Sequence, residues 1–161
     1  MNSDFLIPFV LIVCIIAITL ISIVLSIRGK KTQHLLTDVR GRIDQPSNGA
    51  TVARSIHCRG VCERQTSAVD LVFWLAIETG GLVWPKEALV SPDDSGHWSS
   101  TIQEGGSPEM FTISLWAVTP QGAKGIQAWF EAGRRTSNFP GMSALPGARR
   151  IAQVHDLKLV D

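Results

Sequence analysis

The feature that most constrains this chain of 161 residues is an uncharged apolar stretch near its start, residues 5–27. A helix of that length spans about 34 Å, and the hydrocarbon core of a bilayer is about 30 Å thick. Inside lipid, a helix is the one way such a segment satisfies its own backbone polar groups. The sequence therefore predicts a single transmembrane helix, with the lipid bilayer as the partner of residues 5–27.

A cleaved signal peptide is the main alternative to a permanent anchor. Its apolar core is usually about 7–15 residues long, follows Lys or Arg, and precedes a small-residue cleavage site. Here the core is longer, Asp4 is the charged residue before it, and the basic residues Arg28, Lys30 and Lys31 come after it. We expect residues 1–31 to form an uncleaved anchor with a basic flank. The positive-inside rule places the N-terminus outside and the C-terminal domain in the cytoplasm, with the opposite topology as the alternative.

Beyond a linker at residues 32–38, the pattern changes to short apolar runs separated by turn residues. We expect strands over 39–43, 51–60, 69–77, 82–84, 98–102, 110–118 and 151–160. Short strands at this spacing are typical of a β-sandwich, whereas a parallel α/β fold would need crossover helices between them. Residues 39–161 are therefore predicted to form one all-β sandwich domain.

Four local patterns refine this expectation. The strand at 69–77 is apolar on both faces, which predicts a central strand covered on both sides. Pro85 should end the strand at 82–84. Apolar residues at i, i+3 and i+4 from Ile126, with Gly133 after them, predict one short helix. In the last strand the apolar phase slips between Val154 and Leu157, which predicts a β-bulge.

Several turn motifs resemble those of bacterial immunoglobulin-like accessory domains. The matching residues are Pro46-x-x-Gly49-Ala50-x-Val52, then Gly60, then Asp94-x-Gly96-x-Trp98. The resemblance covers about residues 39–120 and implies an immunoglobulin-like β-sandwich. It also implies positive φ angles at Gly49 and Gly96 and a Trp98 that anchors its hairpin to the core. Members of that group are binding, spacer or envelope-associated modules without shared catalytic residues.

Charge and motif content restrict the function classes. The chain has 15 Lys and Arg against 14 Asp and Glu, a net charge of +1, which argues against nucleic-acid binding. It carries no nucleophile elbow, phosphate-binding loop, dinucleotide fingerprint or zinc-protease helix. We therefore expect a non-enzymatic protein with no cofactor.

The weak candidates for a metal or thiol site are His57, Cys58 and Cys62. Imidazole and thiolate groups are zinc ligands, but a tetrahedral site needs a fourth ligand, and the sequence has no second pair. Four residues along a strand separate the two cysteines by about 13 Å, too far for a disulfide without a tight turn. We interpret them as two buried thiols on one strand face, with a redox or metal role as the alternative.

Two groups of residues are candidates for an interaction surface. Five tryptophans are many for this length, and Trp84 and Trp116 are the ones we expect to be exposed. Two arginine pairs flank a Pro- and Gly-rich loop and could contact anionic headgroups or an acidic partner: Arg134, Arg135, Arg149 and Arg150.

The leading hypothesis from the sequence is a membrane-anchored module that binds another protein within a membrane-associated assembly. The first alternative is an outward-facing module that binds envelope components or carbohydrate. The second alternative is a thiol or metal sensor.

Overall fold

The structure, a computed structural model, describes residue 36 and residues 38–64 and 71–160. The predicted membrane segment at 5–27, its basic flank and most of the predicted linker lie outside these described residues. Within them, no helix is both long enough and apolar enough to cross a membrane.

Eight strands and one helix make up the described part of the β unit that begins at Asp38. The strands are β1 Val39–Gln45, β2 Thr51–Val52, β3 Ser55–Arg64, β4 Val72–Thr79, β5 Leu82–Val90, β6 His97–Gln103, β7 Phe111–Val118 and β8 Ala148–Leu159, and the helix is α1 Pro120–Thr136. A three-stranded sheet has the order β1-β3-β6, and a five-stranded sheet has the order β2-β8-β7-β4-β5. The prediction of a β-rich fold with two sheets and one helix is confirmed.

The segment predicted as a single strand over 51–60 divides between the two sheets. Residues Thr51–Val52 pair in parallel with the end of β8, whereas Ser55–Arg64 pair with β1 and β6. The chain crosses from one sheet to the other at positions 53 and 54. Val52, Ile56 and Cys58 share one phase on either side of the crossing, which is why the pattern alone predicted one strand.

The central strand β4 is covered on both sides, as its sequence predicts. Its residues from Phe73 to Ile77 are all buried. One face of the five-stranded sheet carries Trp74, Ala76, Trp116 and Val118, which form a cluster with residues of α1. The alternate residues of β4 and β7 face the three-stranded sheet, so the larger sheet is sandwiched between the smaller sheet and the helix.

Pro85 does not end its strand, contrary to the sequence prediction. Strand β5 continues to Val90 because it lies at the edge of its sheet and pairs with β4 on one side. A proline at an edge position loses no ladder hydrogen bond when its missing N–H would have faced outward. The pairing with β4 shifts register between Trp74 and Ala76, opposite the segment that follows Pro85.

The helix is longer than the sequence predicts and does not end at Gly133. Thr119 caps its N-terminus by accepting a hydrogen bond from the amide of Gly122 at 3.1 Å, and Pro120 occupies the first turn. It ends at Thr136, and the cap residue that follows, Ser137, adopts the left-handed conformation with φ 53°. Gly133 lies inside the helix. The ring of Phe139 packs against it so closely that a Cβ atom would not fit, which explains the glycine at this position.

The predicted bulge in the last strand is confirmed. Val154 of β8 pairs with Ile113 of β7, and Leu157 pairs with Phe111. Three steps along β8 therefore match two steps along β7, so β8 contains one extra residue. Asp156 within this bulge has φ 60°. The extra residue keeps both Val154 and Leu157 buried.

Three residues of the turn motifs have the expected conformation or burial. Gly49 has φ 73° and Gly96 has φ 81°, and Trp98 is buried. In the turn before β6, Oδ1 of Asp93 accepts hydrogen bonds from the amides of Ser95 and His97 at 2.9 Å each.

Candidate functional site

The three candidate metal ligands do not converge. His57 is exposed on the outer face of β3, where its Nδ1 lies 3.4 Å from Oγ1 of Thr101. Cys58 and Cys62 are buried on the opposite face and form no disulfide. Among the described residues, no three His, Cys, Asp or Glu side chains are grouped so that they could hold a metal ion.

Burial also determines the chemistry of Cys58. Desolvation raises the pKa of its thiol from 9.0 to about 12, because the buried thiolate would lose its hydration. The nucleophilic form is therefore suppressed at neutral pH. This agrees with the interpretation of a packed interior thiol and argues against a thiol sensor at this position.

Trp116 is not exposed, so the expectation for this residue is wrong. It does project from the face opposite to Ile113 and Leu115, but α1 covers that face and leaves the residue 7% exposed. Its indole donates a hydrogen bond to Oγ of Ser114 at 2.8 Å. The guanidinium of Arg150 lies 5.9 Å from the centre of its ring.

The four candidate arginines lie on two separate elements and have different surroundings. Arg150 on β8 forms an ion pair with Glu78 at 2.6 Å, and the neighbouring Arg149 donates a hydrogen bond to the carbonyl of Val39. In the last turn of α1, Arg134 pairs with Glu87 of β5 at 2.8 Å, and Arg135 is exposed.

The described residues form a cleft of about 930 Å³, here called the aromatic cleft. It lies between β5, the end of β6, the loop after β6, and the second half of α1. Its aromatic lining is Trp84, Trp129, Phe130 and Phe139, and its apolar lining is Ile77, Pro85, Ala88, Ile102 and Pro108. A volume of this order lies in the upper part of the range of known ligand sites.

A row of packed rings connects the core to the rim of the aromatic cleft. Trp74 stacks on Phe130 with ring centres 6.2 Å apart, and Trp129 packs edge-on against Phe130 at 5.0 Å. Trp129 also contacts the ring of Phe139 at 5.3 Å. Phe139 is 40% exposed, so the row ends in an exposed aromatic ring that packs against Trp129.

The loop after α1 is fastened to the two tryptophans of the cleft. The indole of Trp84 donates to the carbonyl of Phe139, and the indole of Trp129 donates to the carbonyl of Pro140, each at 3.0 Å. Gly141 packs under the ring of Trp84, where a Cβ atom would lie 2.5 Å from Cζ2. These hydrogen bonds and this packing hold the loop after α1 against both tryptophans.

An almost buried ion pair lies beside this aromatic wall. Nζ of Lys86 is 2.8 Å from Oε2 of Glu104, and the two side chains are 17% and 8% exposed. The other carboxylate oxygen of Glu104 accepts from the amide of Gly106 at 2.6 Å. Arg54 secures the same loop by donating to the carbonyls of Glu104 and Gly106 at 3.2 and 2.6 Å.

No known family model matches this chain, and no curated protein is detectably similar to it.

Sequence reasoning identified one residue of the aromatic cleft, Trp84, and the neighbouring Arg134. It missed Phe139, Lys86 and Glu104, which come from three distant parts of the chain. Trp129 was assigned to a helix by its apolar period, and that signal predicts core packing as readily as a site. The Phe-Pro-Gly sequence at 139–141 after the helix was the one local signal of an unusual loop.

Proposed function

We propose that this protein is a non-enzymatic binding module, anchored in a membrane by residues 5–27. Its β unit is an immunoglobulin-like sandwich that faces the cytoplasm and binds a protein partner in a membrane-associated assembly. The proposal is supported mainly by one observation, the aromatic cleft with its preformed rim. The apolar stretch at 5–27 and the basic residues that follow it support the anchor and its orientation.

The chemistry of the aromatic cleft favours binding over catalysis. Its walls carry tryptophan and phenylalanine rings, and aromatic side chains are enriched at the cores of protein interfaces. Its most buried charged group, Glu104, is neutralised by Lys86 and hydrogen-bonded by Gly106. An anchor would raise the local concentration of the module at the membrane, so a small interface suffices for association.

Co-isolation of the partner from detergent extracts tests the proposal. We compare the full chain with Phe139→Ser, which removes the exposed ring at the rim, and with Leu89→Ser. Leu89 is 50% exposed and does not line the aromatic cleft, so it is a matched control for an apolar-to-polar change. We expect Phe139→Ser to weaken partner binding by about tenfold or more, as for loss of an aromatic anchor.

Leu89→Ser should bind as the unchanged chain does, and intrinsic tryptophan fluorescence checks that both variants are folded. Equal retention of the partner by both folded variants would contradict a role for the aromatic cleft.

Carbohydrate binding is the second candidate, because tryptophan faces also stack on sugar rings. It requires the β unit to face outward. A membrane-impermeant reagent that labels a tag at the C-terminus in intact cells would reject the cytoplasmic placement and favour this alternative.

A further inference from the structure

The hydrogen-bonding groups of the aromatic cleft restrict what its ligand can be. Every polar side chain that lines it has a partner within the protein: Thr79, Trp84, Lys86, Glu87, Thr101, Gln103, Glu104, Ser107 and Trp129. The two indole N–H groups are used by the loop after α1, so these tryptophans offer only ring faces. Both carboxylate oxygens of Glu104 already accept a hydrogen bond.

The ammonium group of Lys86 is the strongest donor left to a ligand. It has three N–H groups, and one is directed at Glu104. The aromatic cleft therefore combines apolar ring faces with a cationic donor, while its buried carboxylate, Glu104, already has both oxygens engaged. A ligand that joins apolar surface to a carbonyl acceptor placed at Lys86 matches this lining.

The backbone at the wall of the aromatic cleft also disfavours an added β-strand. Strand β5 lies at the edge of its sheet, but Pro85 has no backbone N–H to donate to an added strand. Between Pro85 and Leu89 the register of β5 with β4 is also shifted, so this part of the edge is irregular. Upstream, Val83 already exchanges two backbone hydrogen bonds with Met142 at 2.8 and 3.0 Å. A partner chain that needs a regular ladder finds no continuous edge.

We propose that the aromatic cleft binds a proline-rich segment of the partner in the polyproline II conformation. Proline has an apolar ring and a carbonyl acceptor and lacks the backbone N–H, which is the combination that this lining matches. The rings stack on the faces of Trp84, Trp129 and Phe139, and one carbonyl accepts from Nζ of Lys86. Aromatic-lined grooves are a general means of binding such segments. The inference rests on the proposed function, because it specifies the partner of the same site.

Titration of the full chain in detergent with decaproline tests the inference. Trp84 and Trp129 line the site, so tryptophan fluorescence reports binding. We expect saturable binding of decaproline and none of a Gly-Ser peptide of equal length. Phe139→Ser should raise the dissociation constant at least about fivefold, and Leu89→Ser should leave it unchanged. Lys86→Gln keeps a neutral donor beside Glu104 and should weaken binding by a smaller factor.

Cellohexaose is the competing probe. Binding of cellohexaose without binding of decaproline would overturn the inference in favour of a carbohydrate site. Equal binding of decaproline and the Gly-Ser peptide, or equal affinity in the Phe139→Ser variant, would also overturn it. If decaproline fails to bind while Phe139→Ser still reduces partner co-isolation, the inference is wrong and the proposed function stands. If both effects are absent, both proposals are wrong.

Discussion

At Gly60, in the middle of β3, a Cβ atom would collide with the carbonyl oxygen of Arg42 and lie 2.8 Å from Cζ2 of Trp98. Neither the backbone of β1 nor the buried indole can move away easily. We expect Gly60→Ala to lower the free energy of unfolding by about 1–3 kcal/mol, the usual cost of overpacking. Gly105→Ala is the control, because no atom lies within 4 Å of its added Cβ, and its effect should stay within about 0.5 kcal/mol. Chemical denaturation of the full chain measures both, and similar effects of the two changes would contradict the packing around Gly60.

Cys58 gives a second prediction at the scale of the residue. The pKa of the Cys58 thiol is about 12 in the folded chain, against an ordinary value of 9.0. As the pH rises, the thiol of the unfolded chain therefore loses its proton first. The stability contributed by the neutral buried thiol is complete below pH 9 and decreases as the pH rises from there toward 12. Between pH 9 and pH 10 we expect a loss of about 1 kcal/mol relative to a Cys58→Ala variant, which lacks the titrating group. Parallel pH dependence of the unmodified chain and of Cys58→Ala would show that Cys58 is not desolvated.

At the scale of the element, Thr119 joins β7 to α1 as the helix cap. It is 5% exposed, and its hydroxyl accepts from the amide of Gly122. We expect Thr119→Ala to cost about 1 kcal/mol of stability and Thr119→Ser to cost a few tenths, since serine also caps. Thermal unfolding followed by circular dichroism compares them. Equal losses would mean that packing of the Thr119 methyl group, and not the cap, stabilises this end of the helix.

Two ion pairs attach β5 to its neighbours and differ in burial. Lys86 and Glu104 are 17% and 8% exposed, whereas Arg134 and Glu87 are 58% and 68% exposed. Breaking a buried pair leaves an uncompensated charge, so we expect Glu104→Ala to cost about 3 kcal/mol or more. Glu87→Ala should cost less than about 1 kcal/mol. Urea denaturation at low and high salt measures both, and a larger loss for Glu87→Ala would contradict the difference in burial.

How far the sequence predicts each element depends on whether its determinants are local. Alternation predicted the strands, and the slipped phase between Val154 and Leu157 predicted the bulge, because side-chain period is a property of neighbouring residues. The predicted ends of β5 and α1 were wrong because Pro85 lies at the outer edge of its sheet and Gly133 packs under the ring of Phe139, and the local sequence shows neither relation.

At the scale of the whole molecule, the covering of the large sheet by α1 has the widest consequence. It buries Trp116, which the sequence suggested as exposed, and it carries Trp129 and the following loop to the open edge of β5. The aromatic cleft is therefore assembled from residues 77–88, 101–108 and 129–139. Because these three segments meet only in the folded chain, no motif or spacing in the sequence predicts the site.

Photo-cross-linking from the aromatic cleft in intact membranes tests whether this module binds a protein partner there. A photoreactive side chain is placed at Ala88, which lines the site, and in a matched chain at Leu89, which follows it in β5 and does not. We expect illumination to give a discrete protein adduct from position 88 and little or none from position 89. Adducts of equal yield from both positions, or no protein adduct from position 88, would contradict the account.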